Sequence, residues 1–424
     1  MRLSKLNIKK INLNDVDDNY SAQDILLKLG ELYQFESGIY GYGNIWNKLH
    51  RNIENIIISE LDKADCIQVD FPKLQPRKIW DQSDRWDIYT KEGDIMFTLN
   101  NNLGEYGLAP TAEECATIFG SNRLGSYKTM PATYYQIGEK FRKEIRARGY
   151  LFRPRTFIMM DAYSFDTSEE NMHKTFNKMH DVYMNIFKRI GIKVVPVISD
   201  GGTMGGRVSE EYQAFTKLGE DIILYDEEND VGLNKEVLEF EDKETFLNAF
   251  GVSNIESLKE YNSVELGNNF ELGTKYSDSM KLYYVDENGE NKPYYMGCYG
   301  IGLGRIIACI LENNVIKVND KIKGFSIPYN VAPYKVQIIY NETNKETAEK
   351  LYNHLLENNI EVILDDRENL NLGNRINDVY VLGTPKMIIL GNKFDGFNFE
   401  IEDTKTNEKI TTTLENIINT LKNN

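Results

Sequence analysis

The sequence predicts an α/β protein in which a mainly antiparallel sheet with flanking helices precedes a small α/β domain. Aromatic and β-branched residues alternate around 95–99, 133–137 and 157–165, with turn residues between them, and this pattern indicates antiparallel strands. Beyond residue 333, strand and helix patterns alternate, which is typical of a mixed or parallel sheet. We therefore expect domains at residues 1–327 and 328–424.

The elements of the first domain follow from periodicity. Apolar residues recur every three or four positions from 40 to 61 and predict a helix with one buried face. Ser168 and Glu170 belong to a segment resembling a capping box, which predicts a helix running to about residue 190. The acidic stretch 226–262 is interpreted as a linker or small insert, and residues 300–313 as a glycine turn leading into a buried helix.

The second domain is predicted to alternate strands and helices along the chain. The expected order is a strand, a helix, a strand, a weak helix and a strand, with the clear elements at 336–340, 346–358, 362–364 and 386–390.

Composition excludes several classes of protein. The 49 basic and 65 acidic residues give a net charge of −16, which opposes non-specific attraction to phosphate backbones and argues against a general nucleic-acid coat protein. A specific nucleic-acid partner remains possible through local basic patches. No apolar run or leader pattern indicates a membrane, so we expect a cytoplasmic protein. The four cysteines and four histidines show neither Cys-x-x-Cys nor His-Glu-x-x-His, so no metal-ligating residues are assigned.

Two familiar nucleotide-binding signatures are missing from the sequence. It has no P-loop, and the glycines between Gly297 and Arg305 do not fit Gly-x-Gly-x-x-Gly in any register. Arginines are instead spread over the strand-forming region. A planar guanidinium donates two parallel hydrogen bonds to phosphate or carboxylate, so arginines from separate strands can together hold a triphosphate. For the cluster at 142–148 taken alone, a solvated basic strand is the simpler interpretation.

The order of the motifs resembles that of class II aminoacyl-tRNA synthetases, and most closely bacterial-type prolyl-tRNA synthetases. The resemblance covers about residues 35–412. The matching segments are 38–76 (motif 1), 80–85 (Trp-x-x-Ser-x-Arg), 110–114 (the Thr-x-Glu loop), 135–165 (motif 2), 272–277 and 296–305 (up to and including motif 3), and 331–334, 364–367 and 382–385 (anticodon-binding domain).

This resemblance implies a fold and a reaction. It implies a class II catalytic domain built on an antiparallel sheet, a small α/β anticodon-binding domain, and a homodimer formed through motif 1. Proline and ATP would give prolyl-adenylate and pyrophosphate, and the prolyl group would pass to the 3′ end of tRNA(Pro). Mg²⁺ would bridge the phosphates with few protein ligands, because it keeps most of its waters.

The resemblance also assigns nucleotide contacts. Arg142 would bind the amino-acid carboxylate and the α-phosphate, Glu144 the adenine amino group, and Arg153 and Arg305 the outer phosphates, while Phe157 would stack on the ring. Each assignment has a structural alternative. Glu144 and Arg153 would pair across strands, Phe157 would belong to the core, and Arg305 would support packing at a helix start.

For proline, the resemblance implies a site with hydrogen-bond acceptors and negative charge. Thr111 and Glu113 would accept from the cationic imino nitrogen. Cys298, Gly300 and Glu210 are expected to complete the pocket.

The sequence departs from the family at several of these positions. Glu210 stands where histidine is common, and a carboxylate in the proline pocket would be costly unless paired, with Arg207 as the nearest candidate. Glu271 replaces a usual glutamine and Asn268 a common histidine, although Glu271 and Thr274 are still expected near ATP. An altered amino-acid preference is the sharper interpretation of these changes, and drift in a working enzyme is the plainer one.

The remaining expectations concern editing and the anticodon. The stretch 226–262 is too short for an inserted editing domain of roughly 50 or more residues, so no editing in cis is expected. Asp365, Asp366, Arg367 and Arg375 are expected on loops suited to anticodon contacts. Two alternatives to a tRNA-charging enzyme stay open: a paralogue that uses another amino acid or acceptor, and a non-catalytic tRNA-binding regulator.

Overall fold

The computed structural model describes residues 1–9, 11, 21–147, 149–199, 209–227, 230–235, 238, 258–319 and 321–422. These residues form two compact units. The larger comprises Glu36–Ile39 and Glu54–Cys309, and the smaller comprises Met1–Phe35, Tyr40–Ile53 and Ile310–Asn424. The smaller unit therefore includes N-terminal residues as well as the predicted second domain.

The strands of the described residues are numbered in chain order. They are β1 (Leu32–Glu36), β2 (Ile39–Tyr42), β3 (Ile67–Gln68), β4 (Leu74–Pro76), β5 (Thr98–Asn101), β6 (Gly104–Leu108), β7 (Ala132–Phe141), β8 (Thr156–Asp166), β9 (Val195–Ser199), β10 (Ser209–Phe215), β11 (Asp221–Asp226), β12 (Val231–Asn234), β13 (Lys259–Gly273), β14 (Tyr283–Val285), β15 (Asn291–Pro293), β16 (Tyr295–Gly302), β17 (Val315–Val318), β18 (Lys321–Phe325), β19 (Val336–Tyr340), β20 (Val362–Asp365), β21 (Lys386–Leu390), β22 (Asn398–Asp403) and β23 (Lys409–Thr413).

The α-helices are numbered in the same way. They are α1 (Ala22–Leu29), α2 (Asn44–Lys63), α3 (Arg77–Gln82), α4 (Glu113–Ser121), α5 (Glu169–Ile190), α6 (Lys275–Ser279), α7 (Leu303–Asn313), α8 (Lys345–Glu357), α9 (Leu372–Leu382) and α10 (Ile417–Lys422). Short turns of 3-10 helix lie at Leu3–Lys5, Tyr127–Thr129 and Glu342–Asn344, and a π-helical turn lies at Ile88–Glu92.

The larger unit is built on a nine-stranded sheet with the order β10-β9-β12-β11-β13-β16-β8-β7-β3, in which β10 also pairs with β13. Its centre is antiparallel: β7 pairs with β8, β8 with β16 and β16 with β13, each pair antiparallel. The parallel pairs are β3 with β7 and β12 with β9. The predicted antiparallel sheet with flanking helices is therefore confirmed.

Helix α5 covers one face of this sheet, where it packs against β8, β13 and β16. It begins where the sequence predicts, because the Ser168 hydroxyl accepts a hydrogen bond from the backbone N–H of Asn171. It ends at Gly191, whose φ of 88° is the left-handed conformation that glycine adopts without strain. The side chains buried from this helix include Phe176, Tyr183 and Phe187, so its apolar face is the one against the sheet.

Three local predictions differ from the structure. Of the glycines before Arg305, Gly297, Gly300 and Gly302 lie in strand β16, which runs directly into helix α7, and Gly304 lies in that helix; none is in a turn. The predicted linker 226–262 includes β12 and the beginning of β13, both strands of the main sheet, while 239–257 lies outside the described residues. The strand expected at 95–99 is found slightly later, as β5 in a small sheet with β4 and β6.

The smaller unit contains a five-stranded sheet with the order β20-β19-β21-β22-β23. Strand β19 pairs in parallel with both β20 and β21, as the strand–helix alternation predicts. Helix α8 packs against β19 and β20. The core between them includes Val336 and Ile338 of β19 and Leu351 of α8, all fully buried. The antiparallel hairpin of β22 and β23 extends the sheet beyond the predicted elements.

Within the described part of the chain, no helix combines the length and the apolar character needed to cross a membrane.

Candidate active site

A cavity of 730 Å³ opens on the face of the nine-stranded sheet opposite α5. Its floor is formed by residues from adjacent strands in register, because Cys298 of β16 pairs with Tyr163 of β8 on one side and Phe270 of β13 on the other. Cross-strand partners share a face of a sheet. Its wall includes Thr111 and Glu113, from the end of the 110–113 loop.

A smaller cavity of 90 Å³ adjoins the first and shares Arg142, Glu144 and Arg153 with it. Phe157 and Arg305 line the smaller cavity as well. The structure thus brings together three arginines separated by up to 163 positions in the sequence, together with the predicted aromatic ring and acid. A site with this many guanidinium groups favours an anionic, phosphate-bearing ligand.

Arg142 directly follows β7, and its backbone N–H donates to the Arg155 carbonyl at 2.9 Å. Its guanidinium carbon lies 5.1 Å from the centre of the Phe157 ring. The cation–π contact orients Arg142 at the junction of the two cavities. Phe157 is only partly buried, so its ring belongs to the wall of the cavity and not to the closed core.

The other two arginines have protein partners. Arg153 Nε donates to Glu144 Oε2 at 2.8 Å, and Arg153 Nη1 lies 3.6 Å from Glu220 Oε2. The alternative of a Glu144–Arg153 pair is therefore what the structure shows. Arg305 donates from Nη1 to the Glu265 carbonyl at 2.8 Å and from Nε to the Phe152 carbonyl at 3.0 Å.

The acidic wall of the larger cavity is held by a hydrogen-bond network. Thr111 Oγ1 donates to Glu113 Oε1 at 2.6 Å, and Arg85 Nη1 donates to Glu113 Oε2 at 3.0 Å. The Tyr163 hydroxyl donates to Asp161 Oδ2 at 2.9 Å. Burial raises the pKa of the Tyr163 hydroxyl well above its ordinary value, so this group stays a neutral donor.

Two of the predicted site residues lie on the wrong face of the sheet. Glu210 and Glu271 are not in the lining of either cavity; they point to α5, where Glu210 Oε2 lies 2.9 Å from His180 Nδ1 and Glu271 Oε1 lies 2.8 Å from His173 Nδ1. The prediction of Glu210 in the proline pocket was wrong, because successive side chains of a strand point to opposite faces of the sheet. Position 210 is on the face toward α5, not on the face toward the cavity. The same correction applies to Glu271 as an ATP contact.

Two more expectations concern neighbours of these residues. Arg207, the predicted partner of Glu210, lies outside the described residues. Thr274 precedes α6, where its carbonyl accepts from the Asp278 N–H at 2.8 Å, and it is not in the lining of either cavity. The expectation that Thr274 faces the nucleotide therefore has no support from this geometry.

Two of the four predicted anticodon residues do not lie on loops. Asp365 ends strand β20 and is fully buried, while Arg375 lies in α9 and donates to the Tyr340 carbonyl at 2.8 Å. Loop placement was wrong for both, because Arg375 supplies a donor to buried carbonyls of the sheet. Arg367 Nη2 bonds Asp365 Oδ2 at 2.7 Å. Asp366 accepts from the Ser4 hydroxyl at 2.7 Å.

Sequence reasoning missed several residues of the cavity wall, among them Tyr89, Asp161, Tyr163 and Phe270. For Asp161, Tyr163 and Phe270 the alternation of side chains along a strand is the signal, whereas Tyr89 lies in the π-helical turn, where that signal does not apply. If Cys298 and Gly300 face the cavity, then their register partners on β8 and β13 must also face it.

Comparison with known proteins agrees with this geometry. Residues 95–314 match the tRNA synthetase class II core domain family (G, H, P, S and T), and residues 331–424 match an anticodon-binding domain family. A proline–tRNA ligase of Rickettsia bellii (strain OSU 85-389) is 36% identical over 420 residues, covering 96% of this chain and 95% of the relative. The chain belongs to the proline–tRNA ligases of class II. A second member, from Rickettsia akari (strain Hartford), is 34% identical over 436 residues and is covered completely.

Membership among the proline–tRNA ligases confirms the family and the enzyme class expected from the motifs. The end-to-end match with the Rickettsia relatives is consistent with the predicted lack of an inserted editing domain.

Solved structures of prolyl-tRNA synthetase from Cryptosporidium parvum share the fold at 16% identity. One, complexed with L-proline and AMP, has a TM-score of 0.74 and is matched over 99% of this chain and 77% of its own. Another, complexed with halofuginone and AMPPNP, has a TM-score of 0.73 over 95% of this chain and 77% of its own. The predicted class II fold is confirmed.

Proposed function

We propose that this chain activates L-proline with ATP to form prolyl-adenylate and transfers the prolyl group to the 3′ end of tRNA(Pro). The observation that carries the proposal is the convergence of Arg142, Arg153 and Arg305 on one cavity that adjoins the Thr111–Glu113 wall. The arginines can bind phosphates, and the Thr111–Glu113 wall can bind the ammonium group of a small amino acid.

The larger cavity fits the amino acid. The secondary ammonium of proline needs acceptors and negative charge, which Thr111 and Glu113 supply at its wall. Arg142, at the junction, is placed to hold the proline carboxylate against the α-phosphate, which aligns the attacking oxygen with phosphorus and offsets the developing charge. Cys298 and Gly300 form the floor, where the missing side chain of Gly300 keeps space for the ring.

The smaller cavity fits the nucleotide. Phe157 offers a ring face for adenine, and Arg305 offers a guanidinium to the outer phosphates. Arg153 and Glu144 are paired with each other, so ATP binding exchanges their mutual ion pair for contacts with phosphate and the adenine amino group. Because the Arg153 side chain is 46% exposed, this exchange has a low desolvation cost.

We also propose that Mg²⁺ accompanies ATP. The described residues contain no group of three metal-ligating side chains, and Mg²⁺ bound to phosphates does not need one. Glu265, which lines the smaller cavity beside Arg305, is the carboxylate that would hold it, since a hard cation prefers carboxylate, phosphate and water oxygens. Bound there, the ion would neutralise phosphate charge that Arg305 alone leaves uncompensated.

The alternative of a changed amino-acid preference loses its main basis. Glu210 pairs with His180 on the α5 side of the sheet, so the substitution adds no carboxylate to the cavity. We therefore propose proline as the amino acid. We further propose a cytoplasmic homodimer whose anticodon-binding domain contacts tRNA. Asp366 and Arg367, both partly exposed on the loop after β20, are the remaining predicted contacts.

Charging of tRNA with radiolabelled proline tests the proposal, together with pyrophosphate exchange across a panel of amino acids. Wild type should respond to proline, and Arg142→Ala should lower exchange by about 10²–10³, as expected for removal of a group that binds the reacting centre. Arg123→Ala is a matched control, since Arg123 also lies over an aromatic ring, Phe119 at 4.4 Å, but outside both cavities. Equal activity of Arg142→Ala and wild type would refute the assignment of this site.

A further inference from the structure

Arg85 is a buried guanidinium beside the proposed proline site, with a side chain only 2% exposed. Its Nη1 donates to Glu113 Oε2 at 3.0 Å and to Glu114 Oε1 at 2.9 Å, and its Nη2 donates to the Tyr89 hydroxyl. Both glutamates are as deeply buried as the arginine. One cation therefore faces two carboxylates, away from bulk water.

Aromatic rings fix the position of this guanidinium. Its carbon lies 5.2 Å from the ring centre of Trp80, 4.5 Å from that of Tyr89 and 5.2 Å from that of Tyr276. Cation–π contacts strengthen when they are desolvated, and the rings leave the guanidinium little freedom to rotate. Arg85 is therefore held before any ligand arrives.

The two glutamates differ in what else they contact. Glu113 lines the larger cavity and accepts from Thr111, whereas Glu114 accepts from Ser83 at 2.6 Å and is absent from the cavity lining. Arg85 itself is also absent from the lining. It reaches the cavity only through Glu113.

We infer that Arg85 is a positioning residue that keeps Glu113 ionised and aimed at the proline ammonium, with Glu114 as the anchor that holds the guanidinium in place. This inference rests on the proposed function. Arg85 and Thr111 each occupy one oxygen of Glu113, and the remaining acceptor directions of the carboxylate are left for the substrate. The three ionised groups carry a net charge of about −1, which one secondary ammonium neutralises.

The charge balance predicts what loss of Arg85 does. Two buried carboxylates without their cation cannot both ionise near neutral pH, so they would share a proton. Burial already raises the pKa of Glu114 with Arg85 present. Among the surrounding titratable groups, burial raises the pKa values of Tyr89, Tyr276 and Cys298, which stay neutral.

Two more basic groups act on this cluster: Arg142, whose charge reaches Tyr89, and Lys275. Burial, followed by repulsion from Arg85, lowers the pKa of Lys275. Lys275 is nevertheless exposed to solvent. Water therefore screens its charge, and it cannot replace Arg85 as the buried cation.

The test is pyrophosphate exchange with Arg85→Gln, with KM measured separately for proline and for ATP. KM for proline should rise about tenfold or more, as expected for loss of a buried charge-assisted hydrogen bond, while KM for ATP stays within about twofold. In the variant, KM for proline should fall as pH rises, because the pair of carboxylates loses its shared proton. A residue that only supports folding would change both KM values and give no such pH profile.

Two further variants isolate the mechanism. In Arg85→Gln/Glu114→Gln, the competing carboxylate is gone, so Glu113 ionises again and KM for proline should return most of the way to wild type. This variant also removes the unpaired buried charge, so it stays informative if Arg85→Gln fails to fold. Arg77→Gln is the matched control, because Arg77 contacts two carboxylates, Asp81 and Glu105, but at the surface.

The outcomes separate the inference from the proposed function. A wild-type chain without proline-dependent exchange would overturn the proposed function, and the inference with it. With an active wild type, an unchanged KM for proline in Arg85→Gln, or equal increases in both KM values, would overturn the inference alone. Failure of the double variant to recover proline binding would do the same.

Discussion

Replacing Glu312 with glutamine should stabilise the smaller compact unit at alkaline pH. Glu312 lies near the end of α7, and its carboxylate accepts from backbone N–H groups of Ala22 and Gln23 at the start of α1. These bonds favour the ionised form, but burial outweighs them and raises the pKa of Glu312 from 4.5 to about 7. An ionised Glu312 is therefore a cost to the folded state.

The size and direction of the effect follow from linkage. The folded pKa is above the unfolded pKa, so the folded state binds the proton more tightly, and stability falls as pH rises from about 4.5 to about 7. The difference between these pKa values, at about 1.4 kcal/mol per pH unit, corresponds to about 3 kcal/mol above pH 7. Glu312→Gln should gain that amount at pH 8 and nothing at pH 4.

The assay is thermal unfolding of wild type and variant by circular dichroism at a series of pH values. For a unit of this size, about 3 kcal/mol raises the melting temperature by about 6 °C or more. Glu346→Gln is the matched control, since Glu346 is exposed in α8 of the same unit and pairs with Lys350 at the surface. A Glu312→Gln effect of equal size at pH 4 and pH 8, or a loss of stability at pH 8, would refute the reasoning.

Three other substitutions test the site and the sheet. Arg305→Met should lower kcat/KM for ATP by about 10- to 100-fold, the value of a charge-assisted hydrogen bond, with KM for proline nearly unchanged in the same exchange assay. Thr111→Val should raise KM for proline several-fold without affecting KM for ATP, and an equal effect on both would contradict its place in the amino-acid wall. Glu210→Gln should leave KM for proline within about twofold. Because Glu210 raises the pKa of His180, its stabilising contribution is full below about pH 6.5 and is lost as pH rises through the folded pKa, so melting curves of Glu210→Gln and wild type should converge at high pH.

The elements that the sequence predicts well are those whose pattern is long enough to be unambiguous. Strands β7 and β8 and helix α5 each extend over ten or more residues. Helix α5 buries the face that its periodicity indicates, while β7 and β8 lie at the centre of the sheet and bury consecutive residues. The hairpin of β22 and β23 is harder to predict. Strand β22 alternates the buried Phe399 and Ile401 with polar residues over only six positions, and β23 is mostly polar. Tertiary pairing decides its structure.

The glycines of β16 show why composition misled the prediction for that segment. Glycine usually marks a turn, yet Gly297 and Gly300 are extended residues of a central strand. A Cβ at Gly297 would collide with the Tyr299 hydroxyl, and one at Gly300 would lie 3.0 Å from Asn268 Oδ1. Both glycines are therefore set by side chains packed against the strand, those of Tyr299 and Asn268, and these contacts exist only in the assembled sheet.

The same dependence on the sheet explains the two errors at the site. Glu271 directly follows the cavity residue Phe270, and Glu210 precedes Glu211, the register partner of the cavity residue Asn268. A strand turns each successive side chain to the opposite face, so neither acid reaches the cavity. On β13, Asn268 and Phe270 face the cavity, so Glu271 faces α5; on β10, position 211 pairs with Asn268, so Glu210 also faces α5.

Helix α5 explains why acids stand at positions 210 and 271. His173 and His180 lie seven positions apart, about two helical turns, and therefore on one side of α5, where each meets one of the two glutamates. The substitutions are thus matched across the sheet–helix interface. The departures from the expected motifs at 210 and 271 therefore concern the packing of α5. The third, Asn268, lines both cavities together with the retained Arg142.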